Sequence, residues 1–326
     1  MSTRASWRQH PIVVLDGGMG KELHRIGAPF RQPEWSALAL MEDPSAVVTA
    51  HHNFVTAGAD VIIANTYAVV PFHLGDSLFA ARGRELAELA GRLAREAADA
   101  ADHPVAVAAS LPPIFGSYQP DDFDAVAGAG HLDLLVEAQA TFVDLWLVET
   151  IGSIAEAEAA GAAMERAGVE GERWFSFALA EPVPDGGLAT LWSGESVEAA
   201  TTAALAERAD AVLLNCAAPE TIDAGLPEVV AVVDRTGSPA SVGAYANGFP
   251  PKPKVYSANS VILDRRDDLT PTTYAAVTQR WIDLGATIVG GCCGIHPEHI
   301  AEVAAQSRTR PAAPSAAGWG DRSMGS

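Results

Sequence analysis

Eight short apolar runs, spread along nearly the whole chain, limit its possible folds more than any other feature. They are IVVLD (12–16), VIIANTY (61–67), VAVAAS (105–110), LWLVET (145–150), RWFSFAL (173–179), AVLLNCA (211–217), ASVGAYAN (240–247) and TIVGGCCG (287–294). Each is almost continuously hydrophobic, as strands buried on both faces are, and most end in glycine or polar residues. Segments of helical period lie between them. In 85–101, Leu86, Leu89, Leu93 and Ala97 share one face while Arg92, Arg95 and Glu96 point elsewhere. Pro44 after Asp43, Ser196 before VEAATTAAL, and Pro297 after His296 mark helix starts. Eight βα units in a chain of 326 residues predict an α/β fold: a single-domain (β/α)8 TIM barrel over residues 1–307, rather than an open doubly wound sheet. The longest irregular segment, 248–269, follows the seventh strand, and a loop of that length is usually functional or mobile. Residues 308–326, rich in Ser, Ala, Pro and Gly, are expected to form a disordered tail.

Charge and cysteine usage narrow the function classes. With 41 acidic against 21 basic residues the formal net charge is −20, and no Lys/Arg cluster exists to follow a phosphate backbone, so nucleic acid is not an expected partner. The N-terminal MSTRASWRQHP has no apolar signal core, and no run is long enough for a membrane span. A soluble, cytoplasmic protein is expected, its partners small molecules, with a homo-oligomer left open. Three cysteines are too few for a disulfide framework and suit a reducing compartment.

Those cysteines fall at strand ends. Cys216 closes the sixth run, and the adjacent Cys292 and Cys293 close the eighth. In a parallel barrel all carboxyl ends share one face, so the three thiols are able to meet at one mouth. Successive side chains of a strand point to opposite sides, so the pair converges only where the backbone leaves strand geometry; Gly290, Gly291 and Gly294 ease that departure. Three thiolates hold Zn2+ at about 2.3 Å and leave a fourth position for a substrate. Three other readings stand beside this one. The thiols are ordinary small core residues, the vicinal pair is a redox-sensing disulfide, or His296 completes a closed structural site. His296 is read chiefly as capping the last helix, His299 as lying on its exposed first turn, and His51 and His52 as surface or packing residues.

Other strand ends carry carboxylates. LDGGMGKEL (15–23) has the Asp-x-Gly-x-Gly form of a Rossmann methyltransferase loop, but Glu22 stands where the next glycine is needed and ANTY ends the second strand without an acidic residue. The preferred reading has Asp16 projecting from the first strand, with the amides of Gly17 to Gly20 receiving a carboxylate. Glu149 closes the fourth strand at the same mouth, and two carboxylates there suit an ammonium group.

Taken in order, DGGMGKEL, ANTY, LVET, LLNC and GGCCG followed by PEHI resemble the homocysteine S-methyltransferase family over residues 12 to about 305. The resemblance implies a TIM barrel with one catalytic Zn2+ on Cys216, Cys292 and Cys293. It also implies that Asp16 and Glu149 hold the amino group of homocysteine, that Gly17, Gly18 and Met19 receive its carboxylate, and that Asn215 shapes the site; Thr66 and Tyr245 are further candidate substrate contacts. Lys21 departs from a frequent Thr, and Gly294, Ile295 and His296 replace a common RTT. The betaine-using branch has a tyrosine where this chain has Thr150, which favours a sulfonium donor such as S-methylmethionine. Betaine, methyltetrahydrofolate, a selenol acceptor and a non-enzymatic zinc or redox protein are the alternatives.

The residue types suit such chemistry. A thiol of pKa about 8.5 is a poor nucleophile at neutral pH, and Zn2+ deprotonates it. Three cysteine thiolates outweigh the metal's charge, so a fourth sulfur stays electron-rich; Tyr67, Tyr245 or Phe249 can face a cationic donor.

Overall fold

The computed structural model describes residues 7–183, 187–253 and 263–308. All eight apolar runs form strands, each shorter at its carboxyl end than its run except the third and fourth, which extend one residue further. They are β1 (Val13–Val14), β2 (Val61–Ile63), β3 (Ala106–Leu111), β4 (Leu145–Ile151), β5 (Glu172–Ala178), β6 (Ala211–Asn215), β7 (Ser241–Ala246) and β8 (Ile288–Gly291). Every pairing is parallel, in the order β1-β8-β7-β6-β5-β4-β3-β2. A parallel bridge between Leu15 and Val61 joins the two ends, so the sheet closes into the expected barrel.

Side-chain alternation sorts two cores. Val13, Leu15, Val61, Ala106, Leu145, Leu147, Trp174, Leu213 and Ile288 fill the barrel interior. Their neighbours Val14, Ile62, Val107, Trp146, Val148, Val212 and Val289 face outward into the larger core beneath the helices. Small residues allow that helical layer to approach. The helix Asp76–Asp99 buries Leu86, Ala87, Ala90, Leu93, Ala94 and Ala97; it starts nine residues before the expected segment, and Leu89 is only half-buried. Arg95 does not point to solvent: its Nε donates to the Phe142 carbonyl at 3.0 Å and its guanidinium pairs with Asp144.

The expected helix starts are present. Asp43 accepts from the Ala46 amide at 3.2 Å, Ser196 from the Ala199 amide at 3.1 Å, and Pro297 opens the last helix. Arg308 ends that helix and donates to the Gly58 carbonyl at 2.9 Å, so the helix runs one residue into the segment read as a tail; 309–326 and the loop portion 254–262 lie outside the described residues. No helix among the described residues is long and apolar enough to cross a membrane.

Candidate functional site

The chain leaves β8 at Gly291 and turns at once, with the Cys292 amide donating to the Ala246 carbonyl at 2.9 Å and the Ile295 amide to the Cys292 carbonyl at 3.0 Å. That turn defeats strand alternation and brings both thiols to the mouth. Its glycines have separate causes. Gly294 alone has a positive φ, 82°, whereas a Cβ on Gly290 would lie 2.4 Å from the Leu15 Cβ and one on Gly291 2.3 Å from the Ile295 Cγ2. The latter two permit close packing rather than the bend.

Cys216 arrives from β6 in the left-handed region, φ 49°, a conformation that costs a non-glycine residue about 1–2 kcal/mol. Its surroundings hold it there. The Cys216 carbonyl accepts from Asn247 Nδ2 and from Lys252 Nζ, each at 2.8 Å, while Tyr118 Oη donates to its Sγ at 3.0 Å. The three Sγ atoms lie within 4.8 Å of one another. Tetrahedral zinc–thiolate geometry needs sulfurs about 3.8 Å apart, so this donor set fits such a metal with little adjustment.

Neither nearby histidine joins them. The His296 ring faces Glu22, Nδ1 to Oε2 3.4 Å, and its backbone amide donates to His299 Nδ1 at 3.2 Å. The closed four-ligand alternative therefore fails. His299 is fully buried rather than exposed, with Nε2 between Arg265 Nη1 at 2.9 Å and the Leu269 carbonyl at 3.1 Å. His51 is likewise a core residue.

A cavity of about 150 Å³ opens over the sulfurs. Asp16, Gly17, Gly18, Met19, Glu149 and Tyr245 line it together with the three cysteines. Asp16 Oδ2 accepts from the Ile63 amide at 2.8 Å, and its Oδ1 is buried without a hydrogen-bond partner among the described residues. Burial, opposed by the Ile63 bond and reinforced by the nearby Glu149 charge, holds the Asp16 carboxyl well above its ordinary range. Glu149 accepts from Ser110 Oγ at 2.5 Å, and burial pushes its carboxyl up to about 7. Two buried carboxyl groups that each resist ionisation form a receptor for a cation, since one positive charge between them relieves both.

Three candidates differ from their expected placement. The Gly18 amide already donates to the Ile295 carbonyl at 2.9 Å, and a Cβ on Gly18 would lie 2.7 Å from the Cys292 carbonyl oxygen, so this glycine lets the two turns abut. Thr66 stands behind the wall, its single hydroxyl proton shared between the Ser110 carbonyl at 2.9 Å and Gln139 Oε1 at 3.0 Å. Asn215 is also behind it: its amide group accepts from the Thr150 amide at 3.1 Å and donates to Thr150 Oγ1 at 2.8 Å, fixing the residue next to Glu149.

The sequence profile of homocysteine S-methyltransferases matches residues 13–307. This chain belongs to the homocysteine S-methyltransferase family. It is 26% identical to homocysteine S-methyltransferase 3 of Arabidopsis thaliana, over 93% of this chain and 92% of the relative. To homocysteine S-methyltransferase YbgG of Bacillus subtilis it is 28% identical, over 92% and 96%. The crystal structure of the homocysteine methyltransferase MmuM from Escherichia coli, metallated form, superposes with a TM-score of 0.72 at 23% identity, covering 93% of this chain and 99% of that one, which supports the barrel fold. Membership makes the protein a methyltransferase-family enzyme acting on small molecules.

Several residues of this site escaped sequence reading. Tyr118 and Trp35 line the cavity from loops, and Ser110, Glu181 and Lys252 position other groups. Only Ser110 had a signal, as the last residue of an apolar run.

Proposed function

We propose that the protein transfers a methyl group from a sulfonium donor such as S-methylmethionine to the sulfur of homocysteine, making methionine. The observation that carries the reading is the meeting of three thiols with two cation-seeking carboxyl groups at one cavity floor. An amino acid bearing a thiol matches both halves at once. Cys216, Cys292 and Cys293 would hold Zn2+, which when bound lowers the pKa of a fourth sulfur so that it is a thiolate at neutral pH.

The chain's own residues do the rest. Asp16 and Glu149 accept hydrogen bonds from the α-ammonium and orient the acceptor. Ser110 holds the Glu149 carboxylate at one oxygen, and Asn215 braces Thr150 beside it. Thr150 stands where the betaine-using branch has tyrosine, and that favours the sulfonium. Tyr67, Tyr118, Trp35 and Phe249 wall the cavity with aromatic faces that suit a positively charged donor, and they exclude the water that would compete for the methyl group. Orienting nucleophile and methyl carbon in line supplies roughly 7–11 kcal/mol, so no separate general base is required. Unpaired thiols suit the cytoplasm, and a net charge of −20 suits neither nucleic acid nor an anionic membrane surface.

Incubating reduced, zinc-loaded protein with homocysteine and, separately, S-methylmethionine, betaine, methyltetrahydrofolate or S-adenosylmethionine tests this, with methionine read by mass spectrometry. Turnover with a sulfonium supports the reading. Turnover with betaine or the folate alone overturns the donor assignment, and none with any donor overturns the reaction.

A further inference from the structure

Lys252 and Glu181 form a buried ion pair beside Cys216, 3% and 1% exposed, with Nζ to Oε2 3.1 Å. Burying two charges is costly unless hydrogen bonds replace the lost water, and here both carboxylate oxygens and two of the ammonium's three N–H groups have partners. Glu181 Oε1 accepts from the Ala218 amide at 2.6 Å and Thr221 Oγ1 at 3.2 Å, and its Oε2 also accepts from the Lys252 amide at 3.1 Å. Lys252 Nζ reaches the Cys216 carbonyl at 2.8 Å and lies 4.6 Å from the centroid of the Tyr118 ring, whose hydroxyl donates to the Cys216 sulfur. Three loops, those after β5, β6 and β7, are thus tied at one cysteine, and that cysteine is the one in a strained backbone conformation.

We propose that the Lys252–Glu181 pair is a positioning device for Cys216: it holds the left-handed turn that aims this sulfur at Cys292 and Cys293, and so fixes the trithiolate before any metal arrives. The inference rests on the three cysteines being the metal ligands. A neutral brace would orient the carbonyl as well; a cation there also offsets part of the negative charge that three thiolates gather. Groups supporting metal ligands typically change affinity by about 10–100-fold when removed.

The test uses full-length apo protein with Zn2+ and Co2+ alone as probes. Zn2+ affinity is read by competition with a chromophoric chelator, and thiolate count by the intensity of the sulfur-to-cobalt charge-transfer band. Lys252→Met and the double variant Lys252→Met/Glu181→Gln, which leaves no unpaired buried charge, are each expected to bind Zn2+ at least tenfold more weakly. Their cobalt band is expected to fall by about a third as Cys216 disengages. A folded double variant with wild-type affinity and a three-thiolate spectrum overturns the proposal. So does failure of both variants to fold, because the pair would then hold the barrel rather than one ligand. Wild-type protein that binds no stoichiometric metal would instead overturn the metal-site reading itself.

Discussion

Tyr118 Oη donates a hydrogen bond to Cys216 Sγ at 3.0 Å, linking the loop after β3 to the candidate metal ligand at the end of β6. A hydrogen bond to a charged acceptor contributes about 1.5–3 kcal/mol, so Tyr118→Phe is expected to weaken Zn2+ binding roughly tenfold or more. Tyr118→Leu, which also removes the ring from Lys252, is expected to weaken it further. Chelator competition measures both, and unchanged affinity in both would show that the contact contributes nothing.

Cys293→Ser is expected to abolish methyl transfer and stoichiometric zinc while leaving the fold intact, because the hydroxyl is a far poorer ligand of nearly the same size. Elemental analysis and circular dichroism, run beside the activity assay, distinguish loss of metal from loss of structure. An active Cys293→Ser enzyme contradicts the site.

Burial pushes the Glu149 carboxyl up to about 7, and the proposed ammonium contact needs its ionised form. Homocysteine affinity of the protein is therefore expected to rise between pH 6 and pH 8. Glu149→Gln removes the charge at constant shape, so KM for homocysteine should increase about tenfold and lose that pH dependence. KM profiles across this range decide the point.

His51 is fully buried on the helix Pro44–Thr56, with neither ring nitrogen hydrogen-bonded among the described residues, and burial, with a smaller contribution from His52, lowers its pKa to about 3. The folded protein keeps this ring neutral, while the unfolded chain protonates it below about 6.5. Stability contributed above pH 6.5 is thus lost as pH falls through 6.5 towards 3, up to about 3 kcal/mol by pH 4. His51→Leu is expected to flatten this part of the profile in urea unfolding at pH 4 and pH 7. An equal acid loss in the variant would place the sensitivity elsewhere.

Lys21 Nζ lies at the cavity mouth, 5.6 Å from the centroid of the Phe249 ring and 3.3 Å from the Leu263 carbonyl. A carboxylate on either substrate would meet this cation. Lys21→Thr is expected to raise KM for homocysteine or the donor up to about fivefold, the range of a partly exposed ion pair, with the effect shrinking at high salt. Salt-independent kinetics in both proteins would exclude it as a carboxylate contact.

What could be read from sequence follows from where each signal resides. The barrel was legible because β4, β6 and β8 are buried along their whole length and apolar up to their carboxyl ends, the imprint that burial on both faces leaves. The three thiols and Asp16 were legible because they sit at the ends of such runs. Lys252 and Tyr118 were not: both reach the site from irregular loops, where no period relates a residue to the direction it faces. Thr66 and Asn215 occupy the right strand ends but hydrogen-bond behind the wall, since alternation at a strand end depends on a turn that spacing does not specify. Gly290 and Gly291 suggested a bend and instead make room for Leu15 and Ile295.

The last strand carries a further consequence for biosynthesis. Because β8 joins β7 to β1 and also delivers two of the three sulfurs, ring closure and assembly of the three-thiol corner are one event. A chain lacking residues 288–293 offers a solitary thiol at this mouth and no sealed barrel, so the candidate trithiolate corner cannot form until β8 has been made and has docked.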